Sequence, residues 1–483
     1  MEKKNVNLKL NIAYQMFYEV IALCLPLITS PYISRVLGAE NLGIYSYTYS
    51  IATYFGMFAV LGVKNHGNRE IAKSRSDQDK VNHTFSNIYT VQFIASVVVL
   101  VVYFIYALFI ASEYTVFFII QGLYVISCLL DISWFFIGLE QIKLTVIRST
   151  VIKILSFVAT FVFVRDASDL WKYCLIVAFS AFLSQAALWT YFPRYAKLVK
   201  PNGVEVKKQL KPMLILFIPV IAVSIYNVMD KIMVGSMSTK SQLGYYENSE
   251  KIINCTKTVM TSFGTVMMPR MSRLAAEKNV QQSKRYMRLS IEAVMFIAFA
   301  LAFGIGSIAN DFSVLYWGEE FAPCGLLLMG LAVSLPFSGF ANVIRTQYLI
   351  PNNKDNTYIA AVISGAVINA IVNATLIPSQ GAFGAVIGTI CAEGAVCVIQ
   401  CFAARKEIEI GVYIRKTVPF LAIGAIMCLC VVLLNRVLNM SLILNLLIEI
   451  VVGAVVYLAL SLIYFVATKN EILESVVKRI RRH

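Results

Sequence analysis

Apolar stretches of about 20 residues, the length an α-helix needs to cross a hydrocarbon layer, recur from end to end of this 483-residue chain. Residues 43–63, 94–110 and 421–434 are examples. Inside a bilayer no water is available for backbone N–H and C=O groups, so each stretch must bond to itself as a helix. Composition agrees with lipid as the solvent. Hydrophobic residues make up 58% of the chain and charged residues 14%, where a soluble domain carries about a quarter charged residues. Mean hydropathy is +0.71. No long polar stretch separates the apolar ones, so function has to reside in the helices.

Spans are predicted near residues 10–35, 43–63, 84–110, 114–138, 142–164, 170–192, 212–236, 243–268, 288–309, 321–344, 357–378, 381–404, 418–435 and 441–467. The fold class expected is an all-α polytopic membrane protein of about fourteen helices. Positive charge tests that count, because Lys and Arg near span ends are retained on the cytoplasmic side. Of the 42 lysines and arginines, only Arg165, Lys240 and Arg436 fall on loops assigned outside. Seven more lie within spans, and the other 32, counting Lys143 and Arg288 at the inner ends of their spans, fall on segments assigned inside. The segment 310–320, assigned outside, is acidic through Asp311, Glu319 and Glu320. Both ends of the chain are therefore expected in the cytoplasm. Residues Met1 to Lys4 run into the first span without a small-residue cleavage site, which reads as a retained helix rather than a signal peptide.

The division expected is an N-lobe over 1–192, a basic cytoplasmic segment over 193–212 and a C-lobe over 213–404. Two further spans over 405–467 and a basic tail over 468–483 complete it. A weak internal echo supports two lobes. Pro26, Arg35, Gly38, Leu42, Gly43 and Tyr45 have counterparts in Pro219, Lys231, Gly235, Leu243, Gly244 and Tyr245, as parallel repeats of transporters do.

The net charge of +15 lies in short loops and encodes topology, so nucleic acid is not a partner. The ten cysteines fall almost all in apolar segments, where a thiol behaves as a small hydrophobe, and imply neither a disulfide framework nor zinc. His66, His83 and His483 lack metal-ligand spacing, and no phosphate-binding glycine loop occurs. No catalytic or metal-binding residue is assigned.

The informative residues are charges that lipid would not tolerate, since each costs about 2.5–3.5 kcal/mol at mid-bilayer even on the lenient insertion scale. The candidates for a substrate cavity are Arg35, Arg148, Lys153, Lys231, Glu247, Glu250, Lys251, Asn254 and Lys257. Glu247, Glu250, Lys251, Asn254, Lys257 and Thr258 recur at three- and four-residue steps, one side of a single helix. Ile252, Val259 and Phe263 take the opposite side. The stripe reads either as the lining of a hydrated cavity or as intrahelical pairs such as Glu247 with Lys251. Arg35 and Lys172 near span ends also fit snorkelling. Glu19, Asp131, Asp230 and Glu393 are candidate counter-ions or cation-coupling carboxylates. Pro26, Pro31, Pro219 and Pro336 sit within spans and are expected to kink them. Gly381, Gly384 and Gly388 allow close helix packing.

Several segments taken together carry a resemblance. They are residues 30–38, 41–46, 61–63 and 67–72, then Asp230 to Met233, Gly244 to Tyr246, Tyr348 to Asn353, Asn369, and Ile377 to Ala385. This set resembles the Wzx-type polysaccharide flippases of the multidrug/oligosaccharidyl-lipid/polysaccharide exporter superfamily, over about residues 15–400. The resemblance implies two six-helix lobes around a central cavity plus two C-terminal helices. It implies a substrate, an oligosaccharide on polyprenyl pyrophosphate, flipped between leaflets by alternating access for cell-surface polysaccharide synthesis. Membrane lipids, a polysaccharide polymerase and glycosyltransferases are the partners it suggests. No cofactor is implied, and a coupling ion, H+ or Na+, stays open. Internal positive charge suits a pyrophosphate.

Two other readings compete. A cation-coupled multidrug exporter of the same superfamily would share the fold, with a cavity dominated by carboxylates and aromatics. A membrane polysaccharide polymerase or glycosyltransferase would carry a large outside loop or a cytoplasmic catalytic domain, and neither is visible.

Overall fold

The computed structural model describes residues 8–438 and 440–471, apart from the side chains at 8–13, 15–17, 19, 112, 219, 222, 223 and 225–227. Among the described residues every regular element is helical. The chain divides into two compact units, residues 1–235 and 236–483.

The first unit contains α1 (Leu8–Val60), α2 (Val63–Ser74), α3 (Gln78–Ile105), α4 (Thr115–Leu129), α5 (Ser133–Gly138), α6 (Ile142–Phe163), α7 (Leu170–Tyr191) and α8 (Gly203–Met237). The second contains α9 (Lys240–Ala276), α10 (Val280–Trp317), α11 (Cys324–Ala332), α12 (Ser334–Ile344), α13 (Asp355–Gln380), α14 (Ala382–Ala404), α15 (Ile410–Asn435) and α16 (Leu442–Ala467).

Eleven stretches of the described residues are long and apolar enough to cross a membrane, and the chain is a multi-pass membrane protein. The first of them, Val20–Ser74, runs for 55 residues and holds two of the spans read from the sequence. They are separated at Gly38, whose φ of 77° and ψ of 172° suit a residue without a Cβ. The helices α8 and α9 occupy the remaining two predicted spans, 212–236 and 243–268. Both carry charges singled out from the sequence, Asp230 and Lys231 on α8 and Glu247, Glu250, Lys251 and Lys257 on α9. The span predicted over 321–344 is two short helices, α11 and α12, that meet at Val333. Pro336 lies in the first turn of α12, where its missing N–H breaks no helical bond.

In the first unit the core gathers where α2, α3, α5 and the end of α7 converge. Phe85 stacks on Trp134 with ring centroids 5.4 Å apart and lies 4.4 Å from the ring of Phe192. The outward residues of α3, among them Val98, Val101, Val102 and Ile105, are apolar and exposed, the surface expected of a helix solvated by lipid. On α16 the residues Val451, Val455, Leu458 and Leu462 do the same.

The basic segment expected to lie between the lobes is fastened to the first unit. Lys197 N donates to Asn82 Oδ1 at 2.9 Å, Val199 N to Ser86 Oγ at 3.0 Å and Asn202 N to Asn87 Oδ1 at 3.0 Å. Gln78 Nε2 donates to the carbonyl of Tyr195 at 2.8 Å. The register has a geometric origin. Two extended residues advance about 6.6 Å and one helical turn of four residues about 6 Å, so 195, 197 and 199 match 78, 82 and 86. Val206 and Met213 of α8 then join the first unit's core. The compact units divide at 235/236.

Candidate functional site: charges held within the helices

In the first unit, α6 carries two of the candidate bases. Arg148 donates through Nη1 to the carbonyl of Ser184 on α7 and through Nη2 to Ser149 Oγ at 2.7 Å. Its Nε is buried without a partner. Both oxygens that it contacts are neutral. Lys153 stands with Nζ 4.6 Å from the ring centre of Tyr18 on α1, and Lys143 stands 5.9 Å from that of Tyr14. Such contacts are worth about 0.5–2 kcal/mol and leave the cation its charge.

Asp131 occupies the break between α4 and α5 and is 3% exposed. Its Oδ1 accepts from Ser133 N, the first residue of α5, at 2.9 Å, and its Oδ2 lies 3.2 Å from Lys64 Nζ. That partner belongs to α2, which sequence reading placed in a basic loop rather than among the inner bases. Gln92 of α3 completes the network. Its Nε2 donates to the carbonyls of Cys128 and Asp131, both at 2.9 Å, and its Oε1 accepts from Trp134 Nε1 at 3.1 Å.

Arg35 is exposed beside the Gly38 break. Asp230 is buried near the end of α8, and Lys231 follows it half-buried. The side chain of Glu19 lies outside the described residues.

In the second unit the polar residues of α9 differ in their surroundings. Glu247 is buried and 3.3 Å from Lys251 one turn on. Lys257 reaches across to Glu393 of α14 at 2.6 Å, and both side chains are largely buried. Glu250 is half-buried, while Asn254 and Thr258 are exposed. Val259 and Phe263, expected to pack on the opposite side, are exposed at 57% and 37%. The buried face of α9 lies between the two and consists of Leu243, Tyr246, Ile253, Met260 and Met271.

Apart from Asn254, Thr258 and Asn369, the uncharged polar groups within the helices were not singled out from the sequence. Gln121 on α4 and Gln347 in the π-helical turn Arg345–Leu349 are 0% and 1% exposed. Neither amide atom of either side chain finds a partner among the described residues. Asn373 donates to Asn369 Oδ1 at 3.2 Å between adjacent turns of α13, and Tyr246 and Thr389 share a hydrogen bond at 3.2 Å. For the glutamines and asparagines, an amide inside an apolar window was the available signal. Glu292 and Glu449, both nearly inaccessible, were also missed.

A family model described as polysaccharide biosynthesis protein matches residues 8–275, more than half of the chain. The chain belongs to this family. The match takes in α1 to α8 and all of α9 but its last residue, and so covers every candidate base; Glu393 lies beyond it. This member of the polysaccharide biosynthesis family is 21% identical over 387 residues to a candidate O-antigen transporter of Shigella dysenteriae, covering 79% of this chain and 96% of the relative. It is 23% identical over 423 residues to a candidate O-antigen transporter of Escherichia coli strain K12, covering 84% of this chain and 99% of the relative. The solved structure of a lipid II flippase, MurJ, in an inward-closed conformation superposes with a TM-score of 0.77 at 13% identity. It covers 95% of this chain and 99% of that one. At that identity the likeness is one of fold.

Proposed function

We propose that this protein is a flippase. It moves oligosaccharide repeat units carried on polyprenyl pyrophosphate from the cytoplasmic to the outer leaflet by alternating access, and so serves cell-surface polysaccharide synthesis. The family membership and the O-antigen transporters among its relatives support the reading. The observation that carries it chemically is Arg148, a guanidinium within a membrane helix whose hydrogen bonds go to neutral oxygens. Among the described residues no carboxylate is bonded to it, so its charge suits an anion, and the substrate's charge is a pyrophosphate. A site for cationic drugs would need the opposite balance. In this reading the membrane is the cytoplasmic one, and both chain ends lie in the cytoplasm. The glycosyltransferases that build the repeat unit and the polymerase that consumes it act before and after the flippase. A coupling ion, H+ or Na+, drives the cycle.

Reconstitution in liposomes with a fluorescent polyprenyl-pyrophosphate oligosaccharide tests the proposal. Wild-type protein should carry label out of reach of an impermeant quencher. Arg148→Gln should slow transfer about tenfold or more, as losing one charge-assisted hydrogen bond implies. Transfer of no polyprenyl-linked glycan, together with export of a cationic drug, would establish the multidrug exporter instead.

A further inference from the structure

An acid that belongs to none of the groups above is buried between the last helices. Glu449 lies on α16 and is 1% exposed. Its Oε1 accepts from Asn435 Nδ2 of α15, and the same nitrogen donates to Asp311 Oδ2 of α10 at 2.7 Å. One amide thus bridges two carboxyl groups. Among the described residues no lysine or arginine is paired with either of them. Arg436, which follows Asn435 on α15, is exposed, and α16 brings no other titratable group to this corner.

Two oxygens remain. Glu449 Oε2 and Asn445 Oδ1 are both buried and without a hydrogen-bond partner among the described residues. Positions 445 and 449 are neighbours one turn apart on α16, with Cβ atoms about 5–6 Å apart as at any such pair. An amide carbonyl oxygen and a carboxylate oxygen are both acceptors, so neither satisfies the other. A single proton resolves the conflict. Placed on Oε2 it makes a hydroxyl, which donates to Asn445 Oδ1. It also removes the repulsion between two carboxylates that share one amide and the cost of a bare charge in a helix solvated by lipid.

We propose that Glu449 is a proton-binding site, in which Oε2 takes a proton from water and the resulting hydroxyl donates to Asn445 Oδ1. Asn435 ties this neutral acid to an ionised Asp311. Loss of the proton leaves two like charges on one amide and two oxygens facing each other, which loosens α16 from α10 and α15. The site therefore links proton occupancy to the packing of the last helix. The inference does not depend on which molecule is transported.

Infrared difference spectroscopy of the full-length protein in liposomes reads it directly, because a protonated carboxylic acid has a carbonyl stretch that an ionised carboxylate lacks. Wild type minus Glu449→Gln at neutral pH should contain one such band. Asn445→Leu should retain the band at a shifted position, since the hydroxyl has lost its acceptor, and this variant carries the test if Glu449→Gln does not fold. Raising the pH until the band disappears should lower the protection of α16 amides in wild type, after division by the base-catalysed intrinsic exchange rate, and leave that protection unchanged in Glu449→Gln. Absence of the band means an ionised Glu449 with the Asn445 amide turned to donate, and overturns the proposal. An unshifted band in Asn445→Leu also overturns it.

Discussion

Lys257 and Glu393 stand 136 positions apart in the sequence and 2.6 Å apart in space. Both side chains are largely withdrawn from solvent, so each is tolerable because of the other. Lys257→Ala should destabilise the protein by about 3–5 kcal/mol, the cost of leaving a buried charge without its partner. Lys257→Met combined with Glu393→Leu should recover most of that loss, and denaturant unfolding in detergent measures both. Equal destabilisation by the single and the double change would show that a Glu393 left without its partner carries no cost. The individual charges were legible in the sequence because a charge in an apolar window is conspicuous. Their partners were not. Asp131 finds Lys64, a residue that looked like one more loop cation, because pairing is set by which helices touch.

At the scale of elements, the segment between α7 and α8 illustrates what periodicity conveys and what it misses. Its basic character marked it as a break between spans, and a break between spans it is. That it lies extended along α3 depends on Gln78, Asn82, Ser86 and Asn87, more than a hundred residues earlier. Gln78, Asn82 and Ser86 recur at four-residue steps along one side of α3, spaced to meet every second residue of an extended chain, and Asn87 takes Asn202. Asn82→Ala removes the acceptor for Lys197 N and should weaken the attachment by about 1 kcal/mol. Trypsin should then cut after Lys197, which Leu198 follows, about fivefold faster, the population change such an energy produces. An unchanged cleavage rate would mean that the segment is held by something other than this ladder. The span at 321–344 was expected to kink at Pro336, and its interruption falls three residues earlier, at Val333, with Pro336 in the first turn of the next helix.

For the molecule as a whole, the distribution of charge among loops carries the orientation proposed above. Lys200 belongs to a basic segment and Glu319 to an acidic one, and both are exposed. In a background with the ten native cysteines replaced, a membrane-impermeant maleimide applied to intact cells should label Glu319→Cys and spare Lys200→Cys. Permeabilised cells should label both. Labelling of the two in the reverse pattern would turn the topology over while leaving the helices as they are. The two compact units and the match to a flippase fold follow from the packing of these helices rather than from any one of them.

The all-helical class, the number of passes and the positions of the loops were determined by the sequence alone. The reason is that lipid acts on each segment separately: a span must be long enough, apolar enough and internally hydrogen-bonded wherever it later packs. Tertiary structure alone decided which of the embedded polar groups meet. The partners of Asp131 and Glu393, the docking of residues 195–202 and the meeting of Glu449 with Asp311 through Asn435 all join residues from different helices. Contacts of that kind depend on the side chains two helices turn toward each other, and hydropathy along one chain carries no record of its neighbour.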